Sequence, residues 1–285
     1  MNKFMGTGVA LVTPFTSDLA IDYPALKKLI NHLDRDEINY YVIMGTTGES
    51  ATLNWSEKIG LLQFCKNNIS NKPIVFGLGG NNTLGLLDQI KIINKIGVDA
   101  ILSVTPYYNK PSQAGLIAHF EMIAEASNAP IILYNIPSRT ATNMEATTVI
   151  ALAEHPNIIG IKEASGDLEQ CQQIMIHKPI DFILISGNDQ DTVEILQMGG
   201  CGTISVVANY KPVELGNIVI EMMAGRAPNA KKINESLLKY YALMMSEGNP
   251  TSVKTALKTI GICQKYVRLP LIEGSKALED KFIKA

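Results

Sequence analysis

A lysine that closes an apolar run is the side chain in this sequence with the most chemistry to offer. Asn157-Ile158-Ile159-Gly160-Ile161 leads directly into Lys162-Glu163. On a strand of a closed sheet, that lysine stem emerges from the wall, where an ammonium is costly to desolvate. The neutral amine is then favoured, and a neutral lysine amine adds to a carbonyl to form a Schiff base. A second apolar run ends in Tyr134-Asn135, and a phenol beside an imine carries protons or stabilises an oxyanion. Gly45-Thr46-Thr47-Gly48-Glu49-Ser50 offers adjacent hydroxyls, with glycines that let main-chain N–H groups approach a carboxylate. Arg139, in Pro137-Ser138-Arg139-Thr140, has the forked donors that hold a carboxylate bidentately. Pro106-Tyr107-Tyr108-Asn109, Ser186-Gly187-Asn188-Asp189 and Ile204-Ser205 also stand where apolar runs end.

Each of these features has a structural alternative that spacing alone leaves open. Lys162 fits equally an ion pair with Glu163 or another carboxylate. Tyr134 fits a core tyrosine with its hydroxyl satisfied, and the Gly45–Gly48 stretch fits an ordinary turn into a helix, with Glu49 as a favourable first-turn acid. Arg139 fits a solvated loop, and Tyr107-Tyr108 fits an interface where aromatics pack.

The elements that must position these residues alternate along the chain. Short apolar runs lie at 8–12, 40–44, 74–78, 100–104, 131–134, 158–161, 182–185 and 203–207. They are rich in Val, Ile and Tyr and nearly continuous, as in strands covered on both faces. Amphipathic helical patterns separate them, including 23–33, 56–69, 83–96, 112–126 and 145–153, with start signals such as Asn54-Trp55-Ser56-Glu57 and Gly166-Asp167. Successive runs start 21 to 34 residues apart, close to the ~30 residues of a βαβ unit. Eight units predict an α/β fold of the (β/α)₈ TIM-barrel type, in which chemistry sits at the strand ends. A doubly wound sheet is the rival, but Gly77-Leu78-Gly79-Gly80 lacks the third glycine of a dinucleotide fingerprint. The expected division is a catalytic barrel over 1–225 and a C-terminal helical extension over 226–285. The extension, with helices at 229–246 and 251–263 and an amphipathic tail from 275, is too small for its own core and should pack on the barrel.

Composition narrows the classes further. The chain has 285 residues, and its 25 basic against 27 acidic side chains supply no basic field, so nucleic acid is not an expected partner. Charged residues make up 18%, below a usual ~25%, so either an unusual share of the surface is buried or the outside is polar but uncharged. No apolar run approaches the ~20 residues of a membrane span, and Met1-Asn2-Lys3-Phe4-Met5-Gly6 lacks the layout of a signal peptide. Cys65, Cys171, Cys201 and Cys263 form no close pair, so reduced thiols in the cytoplasm are expected. His32, His119, His155 and His177 lie away from the strand ends, so no metal site is expected.

Four motifs in order, spread over the chain, carry a family resemblance. They are Gly45-Thr46-Thr47-Gly48-Glu49-Ser50, Thr105-Pro106-Tyr107-Tyr108-Asn109-Lys110-Pro111, Leu133-Tyr134-Asn135-Ile136-Pro137-Ser138-Arg139-Thr140 and Ile161-Lys162-Glu163-Ala164-Ser165-Gly166-Asp167. Together they resemble the 4-hydroxy-tetrahydrodipicolinate synthase (dihydrodipicolinate synthase) family, within the pyruvate-dependent class I aldolases. The resemblance implies a lyase joining pyruvate to L-aspartate 4-semialdehyde in lysine and diaminopimelate biosynthesis, without metal or organic cofactor. It implies Lys162 as the Schiff-base lysine and Tyr134 as the proton carrier beside it. Thr46 and Tyr108 complete a proton relay, with Tyr108 supplied across a tight dimer of a homotetramer built as a dimer of dimers. Thr47, Gly187 and Ile204 bind pyruvate, and Arg139 binds the semialdehyde carboxylate. Two alternatives stand beside this. N-acetylneuraminate lyase and keto-deoxy sugar acid aldolases share the lysine and tyrosine, with Arg139 as the discriminating residue, and a barrel retained only for binding would not need either. The family's lysine-inhibitor positions correspond to Ser50, Ala51, Trp55, Lys58, Asn81, Gly85 and Tyr107. Lysine-sensitive members usually carry glutamate where Gly85 stands, and commonly histidines at the positions of Trp55 and Lys58. Weak or absent feedback by lysine is therefore expected.

Overall fold

The computed structural model describes residues 3–285. Eight parallel strands close into a barrel in chain order. They are β1 (Gly6–Ala10), β2 (Tyr40–Ile43), β3 (Ile74–Gly77), β4 (Ala100–Val104), β5 (Ile131–Asn135), β6 (Ile158–Glu163), β7 (Ile183–Ser186) and β8 (Gly202–Ser205). Nearly every strand residue is buried, which is why the strand sequences read as continuous apolar runs. Helices fill the connections: α1 (Tyr23–Leu33), α2 (Trp55–Asn68), α3 (Thr83–Ile96), α4 (Gln113–Ala126), the one-turn α5 (Pro137–Thr140), α6 (Ala146–Ala153), α7 (Leu168–His177), α8 (Thr192–Gln197) and α9 (Pro212–Met223). The extension supplies α10 (Ala227–Ser246), α11 (Thr251–Thr259) and α12 (Lys276–Lys284).

Helix starts follow the capping residues. Asn54 accepts from the main-chain N–H of Glu57 while Glu57 reaches back to the N–H of Asn54, a reciprocal capping box. Asp22, Ser112, Asp167 and Ser275 cap α1, α4, α7 and α12 in the same way with one side-chain acceptor each. Pro228 sits in the first turn of α10 rather than before the helix, where its missing N–H costs no hydrogen bond. The strand ends depart from the apolar runs for physical reasons. β6 continues through Lys162 and Glu163 because both stay in the ladder, opposite Ile185 and Ser186 of β7. β8 stops at Ser205, whose hydroxyl caps the following turn by accepting from the N–H of Ala208 at 2.9 Å.

The chain gathers into two compact units, residues 1–72 with 205–285 and residues 73–204. In the first, β1 pairs with β2 in the register Gly8↔Tyr40 to Ala10↔Val42. Helix α9 packs on β1, and α10 packs on α9 and α11. The extension thus belongs to one compact unit with β1 and β2, and the expected division after residue 225 falls within this unit. At its centre Lys254 and Glu49, with side-chain exposures of 0% and 1%, form an ion pair. Lys254 also donates to the carbonyl of Tyr266 at 2.8 Å and lies 4.0 Å from the Phe15 ring centroid. Burial pushes Lys254 below the usual lysine range, with Glu49 opposing the shift.

In the second unit, β3 to β7 pair in succession. The register of β5 and β6 sets Tyr134 against Lys162 and Asn135 against Glu163.

Removing one member of a buried ion pair strands the other, at a cost of about 3–5 kcal/mol. Lys254→Ala is therefore expected to lower unfolding stability by about that amount, read as a shift in urea midpoint. The double variant Lys254→Met with Glu49→Leu should lose much less. Equal losses in the two variants would contradict a stranded charge as the cause.

Candidate active site

In the 73–204 unit the Lys162 and Tyr134 side chains meet. Lys162 Nζ lies 4.1 Å from the centroid of the Tyr134 ring, and each residue is only 6% exposed. A cation or amine over a ring face is attracted by the ring quadrupole. Glu163 does not hold this lysine. Its carboxylate accepts from Asn135 Nδ2 at 3.2 and 3.0 Å, from the N–H of Ser165 at 2.7 Å and from Gln170 Nε2 at 3.0 Å. Burial pushes Glu163 above the usual carboxylate range, and these donors oppose the shift. Of the sequence alternatives for Lys162, the pairing with Glu163 is thereby removed.

Arg139 lies on α5, the one-turn helix that follows β5 and opens with Pro137 at its first position. Its side chain is exposed, and its main-chain N–H donates to Ile136 O at 3.0 Å. Gly187 follows β7 with its N–H engaged by Glu163 O at 2.7 Å. A Cβ there would lie 2.6 Å from Ala164 Cβ and 2.8 Å from Glu163 O, so only glycine fits. Ile204 is buried in β8. Tyr108 is 89% exposed with φ +73°, a left-handed conformation uncommon outside glycine. Tyr107, next to it, receives a hydrogen bond on its carbonyl from Asn81 Nδ2 at 3.2 Å. Asn109 Nδ2 in turn donates to Asn81 O at 3.2 Å, so this loop and the start of α3 are joined. Gly85 lies in the first turn of α3, where its N–H donates to Asn82 Oδ1.

In the other unit, Thr46, Thr47 and Gly48 form a single 3₁₀ turn directly after β2 and Met44-Gly45. Thr47 is buried, and its hydroxyl accepts from Asn249 Nδ2 at 3.0 Å. Gly48 O accepts from Thr13 Oγ1 at 2.7 Å. Glu49 ends the turn in the left-handed region at φ +54°. Its role is to meet Lys254 and the N–H of Arg268, the latter at 3.0 Å, rather than to serve as a first-turn acid. The Arg268 side chain donates to Glu57 and to the carbonyls of Leu19 and Thr52. Ser50, Ala51 and Trp55 follow on the way into α2, and burial lowers the pKa of Lys58 on that helix.

Sequence reasoning missed Asn135, Asn143 and Gln170 as parts of the site, and the hold of Asn249, Lys254 and Arg268 on the Thr46–Gly48 turn. The signal for Asn135 and Glu163 was present: two neighbouring strands each end in a polar residue directly after a candidate catalytic one. Among the described residues, no three His, Cys, Asp or Glu side chains gather as a metal ion would require. His119 instead pairs with Thr83 Oγ1 at 2.8 Å, and burial pushes its pKa down to about 4.

Known proteins share this arrangement from end to end. A 4-hydroxy-tetrahydrodipicolinate synthase of Flavobacterium psychrophilum is 42% identical, covering 99% of this chain and 97% of its own. Lysine-bound dihydrodipicolinate synthase of Cyanidioschyzon merolae superposes with a TM-score of 0.95 at 36% identity, over 100% of this chain and 97% of its own. The chloride-inhibited enzyme of Acinetobacter baumannii, complexed with pyruvate, gives a TM-score of 0.93 at 34% identity, over 98% and 97%. The dihydrodipicolinate synthetase family matches residues 3–285. With the closed barrel, the helical extension and the Lys162–Tyr134 pair all in place, this chain belongs to the dihydrodipicolinate synthetase family.

Proposed function

We propose that this chain catalyses the condensation of pyruvate with L-aspartate 4-semialdehyde, the reaction of a 4-hydroxy-tetrahydrodipicolinate synthase, through a Schiff base on Lys162. The observation that carries the reading is the buried Lys162–Tyr134 pair, with Lys162 Nζ 4.1 Å from the ring centroid and Glu163 turned to other donors. The pyruvate complex of the Acinetobacter baumannii relative supports the substrate class.

The neutral amine of Lys162 attacks the keto carbon of pyruvate, and loss of water leaves an imine. The imine withdraws electrons, so the methyl group gives up a proton and becomes an enamine carbon. That carbon attacks the aldehyde of the semialdehyde. The amine of the second substrate then displaces Lys162, closing the ring and freeing the enzyme. Tyr134 carries protons beside the imine, and Thr46 and Tyr108 extend the relay. Thr47 and Ile204, largely through main-chain groups, hold the carboxylate and keto region of pyruvate, Gly187 is a further substrate-binding residue, and Arg139 holds the carboxylate of the semialdehyde. No metal or organic cofactor enters these steps.

The exposure of Tyr108, with Leu84 68% exposed three residues after Asn81, to which this loop is hydrogen-bonded, supports a subunit boundary at this loop. The assembly proposed is a homotetramer of two tight dimers, working in the cytoplasm. The proposed domain organisation is a catalytic barrel over 1–225 with the extension over 226–285. The positions of Ser50, Ala51, Trp55, Lys58, Asn81, Gly85 and Tyr107 form the counterpart of a lysine-inhibitor site. It lacks the anion that would receive an inhibitor ammonium at Gly85 and carries an extra cation in Lys58.

Three outcomes follow. Borohydride reduction with pyruvate should leave a stable adduct on Lys162 by mass mapping, and Lys162→Ala should lose the adduct and on the order of 1,000-fold or more in turnover. An adduct on a different lysine, or none, would overturn the assignment. Arg139→Ala should still form the adduct but lose on the order of 10- to 100-fold in kcat/KM for the semialdehyde, as expected for a charge-assisted carboxylate contact. Wild-type-like turnover by that variant would remove Arg139 from the site. In steady-state assays sub-millimolar lysine should leave turnover essentially unchanged, and strong inhibition there would refute the reading of Gly85 and Lys58.

A further inference from the structure

Behind the Lys162–Tyr134 pair lies a second cross-strand pair that the reaction does not touch. Successive residues of a strand face opposite sides of the sheet. Tyr134 and Lys162 are register partners on β5 and β6, and so are the next residues, Asn135 and Glu163. Asn135 is fully buried and Glu163 is 1% exposed. Asn135 Nδ2 donates to both carboxylate oxygens and also to Asn143 Oδ1 at 2.8 Å. Asn143 Nδ2 donates to Gln170 Oε1 at 2.8 Å, and Gln170 Nε2 returns to Glu163 Oε2 and, at 3.4 Å, to Asn143 Oδ1. One cluster thus ties the ends of β5 and β6 to the 141–145 segment and the first turn of α7.

Main-chain groups set the direction of the bonds at Asn135 and Glu163. The N–H of Met144 donates to Asn135 Oδ1 at 3.0 Å, which turns Asn135 Nδ2 toward Glu163. The N–H of Ser165 donates to Glu163 Oε1 at 2.7 Å. A main-chain N–H can only donate, so each of Asn135 and Glu163 must keep an acceptor oxygen toward it, and neither can change its donor or acceptor role while the other stays as it is. The carboxylate is surrounded by donors alone. A glutamine at 163 would bring an N–H₂ group against one of them and break the loop of bonds.

We infer that Glu163, through Asn135, Asn143 and Gln170, is a positioning residue that fixes the ends of β5 and β6 so that Lys162 meets Tyr134 in a geometry fit for imine formation. The inference rests on Lys162 being the Schiff-base lysine. Glu163 itself touches no reacting atom. It acts from the opposite face, by holding the register and the rotation of two adjacent strand ends.

The test is a comparison of imine formation in variants that are folded at the assay temperature by near-UV circular dichroism. Pyruvate is added, borohydride traps the adduct at successive times, and mass mapping reads it at Lys162. In Glu163→Gln the rate of adduct formation and kcat should fall together by about tenfold or more, since a 1 Å misplacement costs on the order of 100-fold. KM for the semialdehyde should change by less than about twofold, because Arg139 is undisturbed. Asn135→Asp combined with Glu163→Gln moves the anion to β5, lets the amides of Asn143 and Gln170 turn to match, and should regain most of the lost rate. Where Glu163→Gln does not fold, Gln170→Ala removes a single donor to the carboxylate and should slow the same two rates to a smaller extent. A lowered melting temperature with adduct formation at the wild-type rate would overturn the inference, and so would a double variant no faster than Glu163→Gln. A wild-type enzyme that forms no adduct on Lys162 would instead dispose of the Schiff-base reading and this inference together, so the two failures are distinct.

Discussion

The alternation of side chains along β5 and β6 is the constraint on which the rest of the site depends. A strand cannot place two successive residues on one face. Each of these strands therefore ends by sending one residue to the reacting side and the next to the opposite side: Tyr134 then Asn135, Lys162 then Glu163. The opposite side is a protein interior, where a carboxylate without partners is costly. Asn135, Gln170 and the N–H of Ser165 supply those partners. Placing a lysine at this strand end thus brings a polar cluster with it, and the cluster in turn limits where the lysine can stand.

The Thr46–Gly48 turn is held by a different kind of contact. Glu49 takes a left-handed conformation that costs a non-glycine residue of order 1–3 kcal/mol and persists only where its surroundings over-determine it. Here they do: Lys254 from α11 and the N–H of Arg268 both bind its carboxylate, and Asn249 reaches the hydroxyl of Thr47. A buried ion pair is weak as a source of net stability, because desolvation offsets most of the attraction. Its effect is geometric. The helical extension is thereby part of what shapes the β2 turn, in keeping with its place in one compact unit with β1 and β2.

Legibility from sequence followed how local each determinant is. The eight strands and their order were readable because burial on both faces leaves continuous apolar runs, and helix starts at Asn54 and Asp167 were readable because caps act within three residues. Lys162 and Tyr134 were readable as polar residues closing such runs. Counting apolar residues cut β6 short at Ile161, since the count stops at the first charge although the ladder does not. Asn143, Gln170, Asn249 and Lys254 were illegible as site residues for one reason. Their partners lie from 7 to 205 residues away in the chain, and no spacing rule connects them.

The two buried glutamates find their partners in different ways: one faces a cation and the other only neutral donors. Glu49 faces a cation, Lys254, and the pair sums to no charge in the core of its unit. Glu163 faces only neutral N–H donors, and none of them brings a countercharge. A cationic partner at Glu163 would have eased its burial more, as charge-assisted contacts are stronger than neutral ones. It would also have placed a cation against the residue next in sequence to Lys162, the lysine proposed to form a positively charged imine. Neutral donors satisfy the carboxylate's hydrogen-bonding capacity without that cation. Burial pushes Glu163 upward, and its donors oppose that shift without placing a countercharge behind Lys162.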